Sequence, residues 1–289
     1  METNTLSADR HTAVTIPTVT RLTAALGAEI SGIDLNKPLD DAMFKFVHDA
    51  LVEHQVIFFR DQDLLPEMHK QFALRFGPVQ IHPAFNNVEG YPEICILENS
   101  EAKPSKIEMW HTDMTFSATP PLGSILHSKH IPPIGGDTLF SSMSAAYEAL
   151  SDKMQSFLSG LTAIHDFRYG FKESLAEPGG PERLAGAIAA NPPVAHPVIR
   201  THPISGKKGI FVNSLFTTHI VGMKAKESEA LLNFLYQHVI LPEFICRFKW
   251  QVNSVAFWDN RITQHKPVND FGLQYRVLQR ITVDGDKPY

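Results

Sequence analysis

The chain has 289 residues, 43% hydrophobic and 20% charged, with 26 Lys and Arg against 31 Asp and Glu for a net charge of −5. That composition excludes a mostly disordered or collagen-like chain, and it is enough to bury a core without disulfides. The acidic balance and the lack of a basic block argue against a nucleic-acid partner, since phosphate binding needs a positive face. Two cysteines, Cys95 and Cys246, are too few and too far apart for a disulfide framework or a cysteine metal site. No apolar run approaches the length of a membrane span. The opening METNTLSADRHTAVTIP has acidic residues and no apolar centre, so it does not read as a secretory leader. The expectation is a cytoplasmic protein with a mobile tail over residues 1–15 and one domain over 16–289.

In chain order, residues 41–53 place Met43, Phe44, Val47, Leu51 and Val52 at helical spacing. The run 55–59, QVIFF, reads as a buried strand. Residues 66–76 read as a second helix, with Pro at its start and Gly77 past its end. From Glu93 onward short apolar runs such as ICILE, GSILHS, TLFSS, GIFVN, VAFWDN and RVLQRITV are separated by turn residues, the signature of an antiparallel sandwich or barrel. Helices are expected over 144–161 and 226–239. Residues 172–193 carry Gly and Pro with few large apolar groups, which points to an exposed, mobile insertion that acts as a lid.

The chemistry begins at Trp110-His111-Thr112-Asp113. If this stretch is a strand, His111 and Asp113 share a face and aim an imidazole and a carboxylate at one point. A distant second histidine would complete a facial two-His, one-carboxylate set of the kind that holds non-haem Fe(II). Alone, the tripeptide is not specific. Near the C-terminus, His265 follows the strand-like VAFWDN, and Arg276 and Arg280 share parity in RVLQRITV. Two arginines on the inner side of a core strand are costly unless paired, and ligand carboxylates or sulfonates suit the guanidinium fork.

The set WHTDMTF, GGDTLF, WDNRITQH and YRVLQRITVDGDKPY, in that order and spacing, resembles the taurine dioxygenase family of Fe(II)/2-oxoglutarate oxygenases. The likeness runs from about residue 20 to the end. It implies a mainly β fold with flanking helices, the double-stranded β-helix or cupin-like jelly roll. It implies His111, Asp113 and His265 as catalytic iron ligands, and Thr138 and Arg276 as the site for the distal carboxylate of 2-oxoglutarate. Arg280, His82 and the backbone N–H of Met114 match the family's positions for the anionic head of the substrate. Phe171 and Phe216 match residues that line its pocket. Fe(II), 2-oxoglutarate and O2 are the implied cofactors, a small anionic molecule the implied substrate, and a homodimer or homotetramer the implied assembly.

Two positions depart from the pattern: Phe85 replaces a tyrosine, and Ile107 stands where taurine dioxygenase has an asparagine near the amine end. Burying an ammonium without partners is expensive. The expected substrate is taurine or a related organosulfonate, and these two positions favour a far end less polar than taurine's, or weak binding of taurine. An alkyl sulfate, an aryloxyacetate or another carboxylate on the same arginine is the alternative. A zinc hydrolase would also suit two His and a carboxylate, but it gives Thr138 and Arg276 no role. A binding protein without turnover is the remaining option, and the intact triad with Arg276 argues against it. His165, His196, His202 and His219 read as structural or exposed.

Overall fold

The computed structural model describes residues 16–81, 86–104 and 107–289. Its largest sheet has eight strands, in the spatial order Thr18–Arg21, Ala28–Ser31, Val56–Phe59, Val255–Asp259, Gly123–His130, Arg276–Val283, Tyr91–Asn99 and Asn87–Val88. All neighbours are antiparallel except Ala28–Ser31 beside Val56–Phe59. The central strands are buried on both faces, which explains why they read as continuous apolar runs rather than alternating ones.

Period-two geometry sorts each strand between two cores. Val56, Phe58, Leu126, Ala256, Trp258 and Leu278 share one cluster with Phe140, Cys246 and Phe248. Those last three lie on a smaller sheet, Ile245–Phe248, Thr138–Ser142 and Thr263–Pro267. Phe58 and Phe248 stack across the gap with centroids 3.9 Å apart. The alternate residues Ile57, Phe59, Ile125, Val255, Phe257, Ile281 and Val283 face Val47, Leu51, Phe72 and Ala73 of two covering helices, Asp41–His54 and Pro66–Leu74. Each fully buried side chain of this size contributes about 1.5–3 kcal/mol. Asp40 caps the first helix by accepting from the Met43 N–H, and Pro66 opens the second. Two facing sheets with helices outside are the jelly roll expected from the sequence.

Two segments differ from the reading of the sequence. Residues 144–161 are two helices, Met143–Glu148 and Asp152–Leu158, because the Ser151 hydroxyl accepts from the Met154 N–H and caps a new start. Residues 172–193 are mostly exposed, as expected, but they are helical. They form the helices Lys172–Ala176 and Gly180–Ala190, with left-handed Gly179 (φ 71°) between them and Pro181 in the first turn of the second. Leu184, Ala187 and Ile188 recur at helical spacing and pack against Phe116, Phe167 and Phe216. The 1–15 tail lies outside the described residues. Among the described residues no helix is long and apolar enough to cross a membrane.

Candidate metal centre and ligand site

His111 and His265 meet as an isolated antiparallel bridge. Each donates its backbone N–H to the other's carbonyl, at 3.0 and 2.8 Å. The bridge brings the ring centroids to 4.2 Å. Asp113 completes the group, and its position differs from the expectation of a shared strand face. Only His111 makes the bridge, and Asp113 opens a turn. Met114 follows in the left-handed region (φ 51°), a conformation worth on the order of 1 kcal/mol of strain in a non-glycine residue. One ligand atom from each of His111, Asp113 and His265 lies within 4.8 Å of the others. Asp113 Oδ1 sits 3.5 Å from His111 Nε2 and 3.8 Å from His265 Nε2.

The donor chemistry fits a divalent iron ion. His111 Nδ1 lies 2.9 Å from the Met109 carbonyl, which fixes the proton on Nδ1 and leaves the Nε2 lone pair toward the centre. Burial, with His111 and Arg280 adding to it, pushes His265 down to about 3, so its ring is neutral at physiological pH. Burial pushes the Asp113 carboxyl up, but the His265 and His111 rings beside it and the Arg280 guanidinium outweigh that and hold the group well below its ordinary range. Two imidazole nitrogens and one anionic oxygen converging on a point are the donor set of a facial iron site. His265 packs against Trp258 at 4.7 Å, which holds the ring from behind.

Arg276 and Arg280 lie on the same strand with Leu278, whose side chain belongs to the inner core, so their shared parity holds. Arg280 is close enough to shift both Asp113 and His265. Arg276 is 7% exposed and lies against Gly136, where an added Cβ would come within 3.4 Å of its Cδ and Nε. Gly136 leads through Asp137 to Thr138, whose hydroxyl accepts from Trp250 Nε1 at 3.0 Å. The structure therefore gathers Arg276 with the Thr138 strand. The neighbouring Asp137 carboxylate is occupied by Arg247 at 2.6 Å, and Arg276 Nε has no hydrogen-bond partner among the described residues. A buried guanidinium left in this state is suited to an incoming anion.

Phe171 and Phe216 join one aromatic cluster with Phe116 and Phe167, and Met114 packs against it. Phe116 lies 5.0 Å from Phe216 and 5.1 Å from Phe167. Ile107 is not part of this cluster. It is 45% exposed, and its carbonyl accepts from Asn269 Nδ2. His82 and Phe85 lie outside the described residues. Sequence reasoning missed Asn260 and Ser124, which bond to Asp113. It also missed Thr115, held by His165 Nδ1 and Asn213 Nδ2. Asn260 stood inside a quoted motif, but a turn asparagine reads as local turn chemistry. His165, His196 and His202 are buried and hydrogen-bonded, and His219 is exposed, which agrees with their reading as structural or exposed.

Residues 18–282 match the family described as "Taurine catabolism dioxygenase TauD, TfdA family". The chain belongs to this family. It is similar to the alkylsulfatase of Acinetobacter baylyi, 39% identical over 92% of this chain and 84% of that one. It is also similar to the alpha-ketoglutarate-dependent sulfate ester dioxygenase of Pseudomonas putida, 35% identical over 91% of this chain and 88% of that one. A solved taurine dioxygenase structure from Burkholderia xenovorans superposes with a TM-score of 0.81 at 39% identity, covering 94% of this chain and 90% of that one. The protein is thus a 2-oxoglutarate-dependent dioxygenase that uses Fe(II) and O2.

Proposed function

We propose that this dioxygenase hydroxylates the carbon bearing the anionic head of an alkyl sulfate or alkylsulfonate with an apolar chain. The supporting observation is the apolar cluster that Met114, the residue after Asp113, joins with Phe116, Phe167, Phe171, Phe216 and Leu184. An ammonium group such as taurine's would lose hydration against these side chains at a cost. An alkyl chain gains about 0.8 kcal/mol, roughly fourfold in affinity, for each methylene it buries. The similarity to an alkylsulfatase and a sulfate ester dioxygenase supports the same reading.

His111, Asp113 and His265 hold the iron, Arg276 and Thr138 hold the far carboxylate of 2-oxoglutarate, and Arg280 holds the substrate's head with His82 and the Met114 N–H. When bound, iron with 2-oxoglutarate and O2 supplies hydroxylation of a C–H bond and releases succinate and CO2. The chain's own contribution is placement. Arg280 fixes the head by charge, the aromatic wall fixes the chain direction, and together they set which carbon faces the centre. A hydroxylated sulfate ester then breaks its C–O bond to give an aldehyde and inorganic sulfate. A hydroxylated sulfonate breaks its C–S bond to give an aldehyde and sulfite.

The test is competition between hexyl sulfate, hexanesulfonate and taurine in the Fe(II)-loaded enzyme, following succinate, sulfate and sulfite together. Succinate matched by sulfate or sulfite from the hexyl compounds, with taurine at least about tenfold slower in kcat/KM, is expected from the methylene increment. Faster turnover of taurine would refute the apolar-chain reading.

A further inference from the structure

Because Asp113 lies in a turn, no strand ladder fixes its carboxylate. One side chain holds its backbone from both ends. The Asn260 amide oxygen accepts the Asp113 N–H at 2.8 Å, and Asn260 Nδ2 donates to the Asp113 carbonyl at 3.0 Å and the Pro121 carbonyl at 3.2 Å. Only a carboxamide can accept from an N–H and donate to two carbonyls at once while staying neutral. An aspartate at this position would add a second buried negative charge beside the first. The carboxylate itself has one further handle. Ser124 Oγ donates to Asp113 Oδ2 at 3.2 Å, leaving Oδ1 turned toward both imidazoles.

Asn260 is aimed by its neighbours. Asp259 takes a two-pronged contact from Arg261, at 2.8 and 2.6 Å, and a third from His202 Nε2 at 2.9 Å, all among buried groups. The Asn260 N–H donates to Leu122, and the Ile262 N–H closes the turn on the Asp259 carbonyl. Three residues after Asn260, the Thr263 carbonyl accepts from Thr112 Oγ1 at 3.0 Å. His265 follows on the same strand. The 259–261 turn thus joins the segment carrying His265 to the segment carrying His111 and Asp113.

We infer that Asn260 and Ser124 are positioning residues for the Asp113 carboxylate, presenting Oδ1 as a single-oxygen ligand in line with both imidazoles. This rests on the triad being the iron site. Hydrogen bonds behind a ligating carboxylate govern metal affinity, and losing one weakens binding by about 10–100-fold.

The experiment measures Mn(II) affinity of the metal-stripped full chain by the electron paramagnetic resonance of free Mn(II), in wild type, Asn260→Ala, Ser124→Ala and Gln62→Ala. Gln62 is a control. It is equally a buried amide, but its partners are Leu35, Ile33 and Arg60, none of them in the site. Asn260→Ala and Ser124→Ala should each bind Mn(II) at least about tenfold more weakly, whereas Gln62→Ala should melt lower with its affinity unchanged. The visible bands of Co(II)-loaded Ser124→Ala should also shift, because Oδ2 is then released to approach the metal. If Asn260→Ala does not fold, Ser124→Ala decides the question. Wild type that binds Mn(II) with both site variants unchanged would overturn the inference alone. Wild type that does not bind Mn(II) would overturn the iron-site reading and this inference with it.

Discussion

Replacing Arg276 with methionine should stabilise the ligand-free protein and abolish its response to 2-oxoglutarate. Burial pushes the Arg276 guanidinium down to about 10, and the charge of Asp137 restores only part of the loss. At about 1.4 kcal/mol per tenfold change in proton affinity, carrying this cation weakens the folded state by on the order of 3 kcal/mol at neutral pH. Folded and unfolded chains both hold the proton at pH 7. The penalty is therefore fully present there and fades only as pH rises through the folded value. Methionine fills similar space without charge, and Asp137 keeps Arg247 as its partner, so no carboxylate is stranded. The expected gain is about 1–3 kcal/mol, or roughly 2–10 °C in Tm for a domain of this size. Calorimetry with Mn(II), with and without 2-oxoglutarate, reads both effects. A ligand at about 100 times its Kd should add roughly 2.7 kcal/mol to wild type and nothing to the variant. A variant that melts below wild type and still responds to 2-oxoglutarate would refute the assignment of Arg276.

Acid should unfold the protein well above the carboxylate range. Burial pushes His69 and His165 down to about 3 and His127 to about 4, so the unfolded chain takes up protons below about pH 6.5 that the folded chain refuses. Each such group removes about 1.4 kcal/mol per pH unit over that window, and equal stability in urea at pH 7 and pH 5 would contradict it. Gly123→Ala should cost at least about 3 kcal/mol or prevent folding, because its Cβ would fall 2.3 Å from the Trp258 carbonyl in a central strand. A urea midpoint within error of wild type would contradict that.

Much of the site was legible because its chemistry is carried by rare residue types at fixed order. The histidines, Asp113 and the two arginines stand out in any reading, and the parity of Arg276 and Arg280 survived because they lie on a true strand. The strand parity invoked for His111 and Asp113 did not apply. They converge through a turn whose shape depends on Asn260, some 147 residues away in sequence. Long-range hydrogen bonds of that kind leave no periodic trace. The helices of the 172–193 segment escaped the sequence for another reason, although its exposure did not. Its Gly and Pro residues sit at a helix start, where they are compatible with the fold, and the sparse stripe of Leu184, Ala187 and Ile188 was outweighed by composition. The break at Ser151 was hidden in the same way, since a serine within an apolar-periodic run is a cap only when the chain turns there.

Arg276 and Arg280 ride on one strand, clamped on both sides by Gly123–His130 and Tyr91–Asn99. At about 3.3 Å per residue, their backbones are held roughly 13 Å apart. That spacing is a ruler cut into the peptide backbone, beyond the reach of side-chain adjustment. A one-residue insertion between them would not lengthen the ruler usefully, because it would swing Arg280 to the helix-covered face. Lineages sharing this strand can therefore diversify by point changes in the wall around the chain, while insertions and deletions between the two arginines should be purged. Within such a lineage, the length of this strand should drift far more slowly than the identity of the residues in the wall.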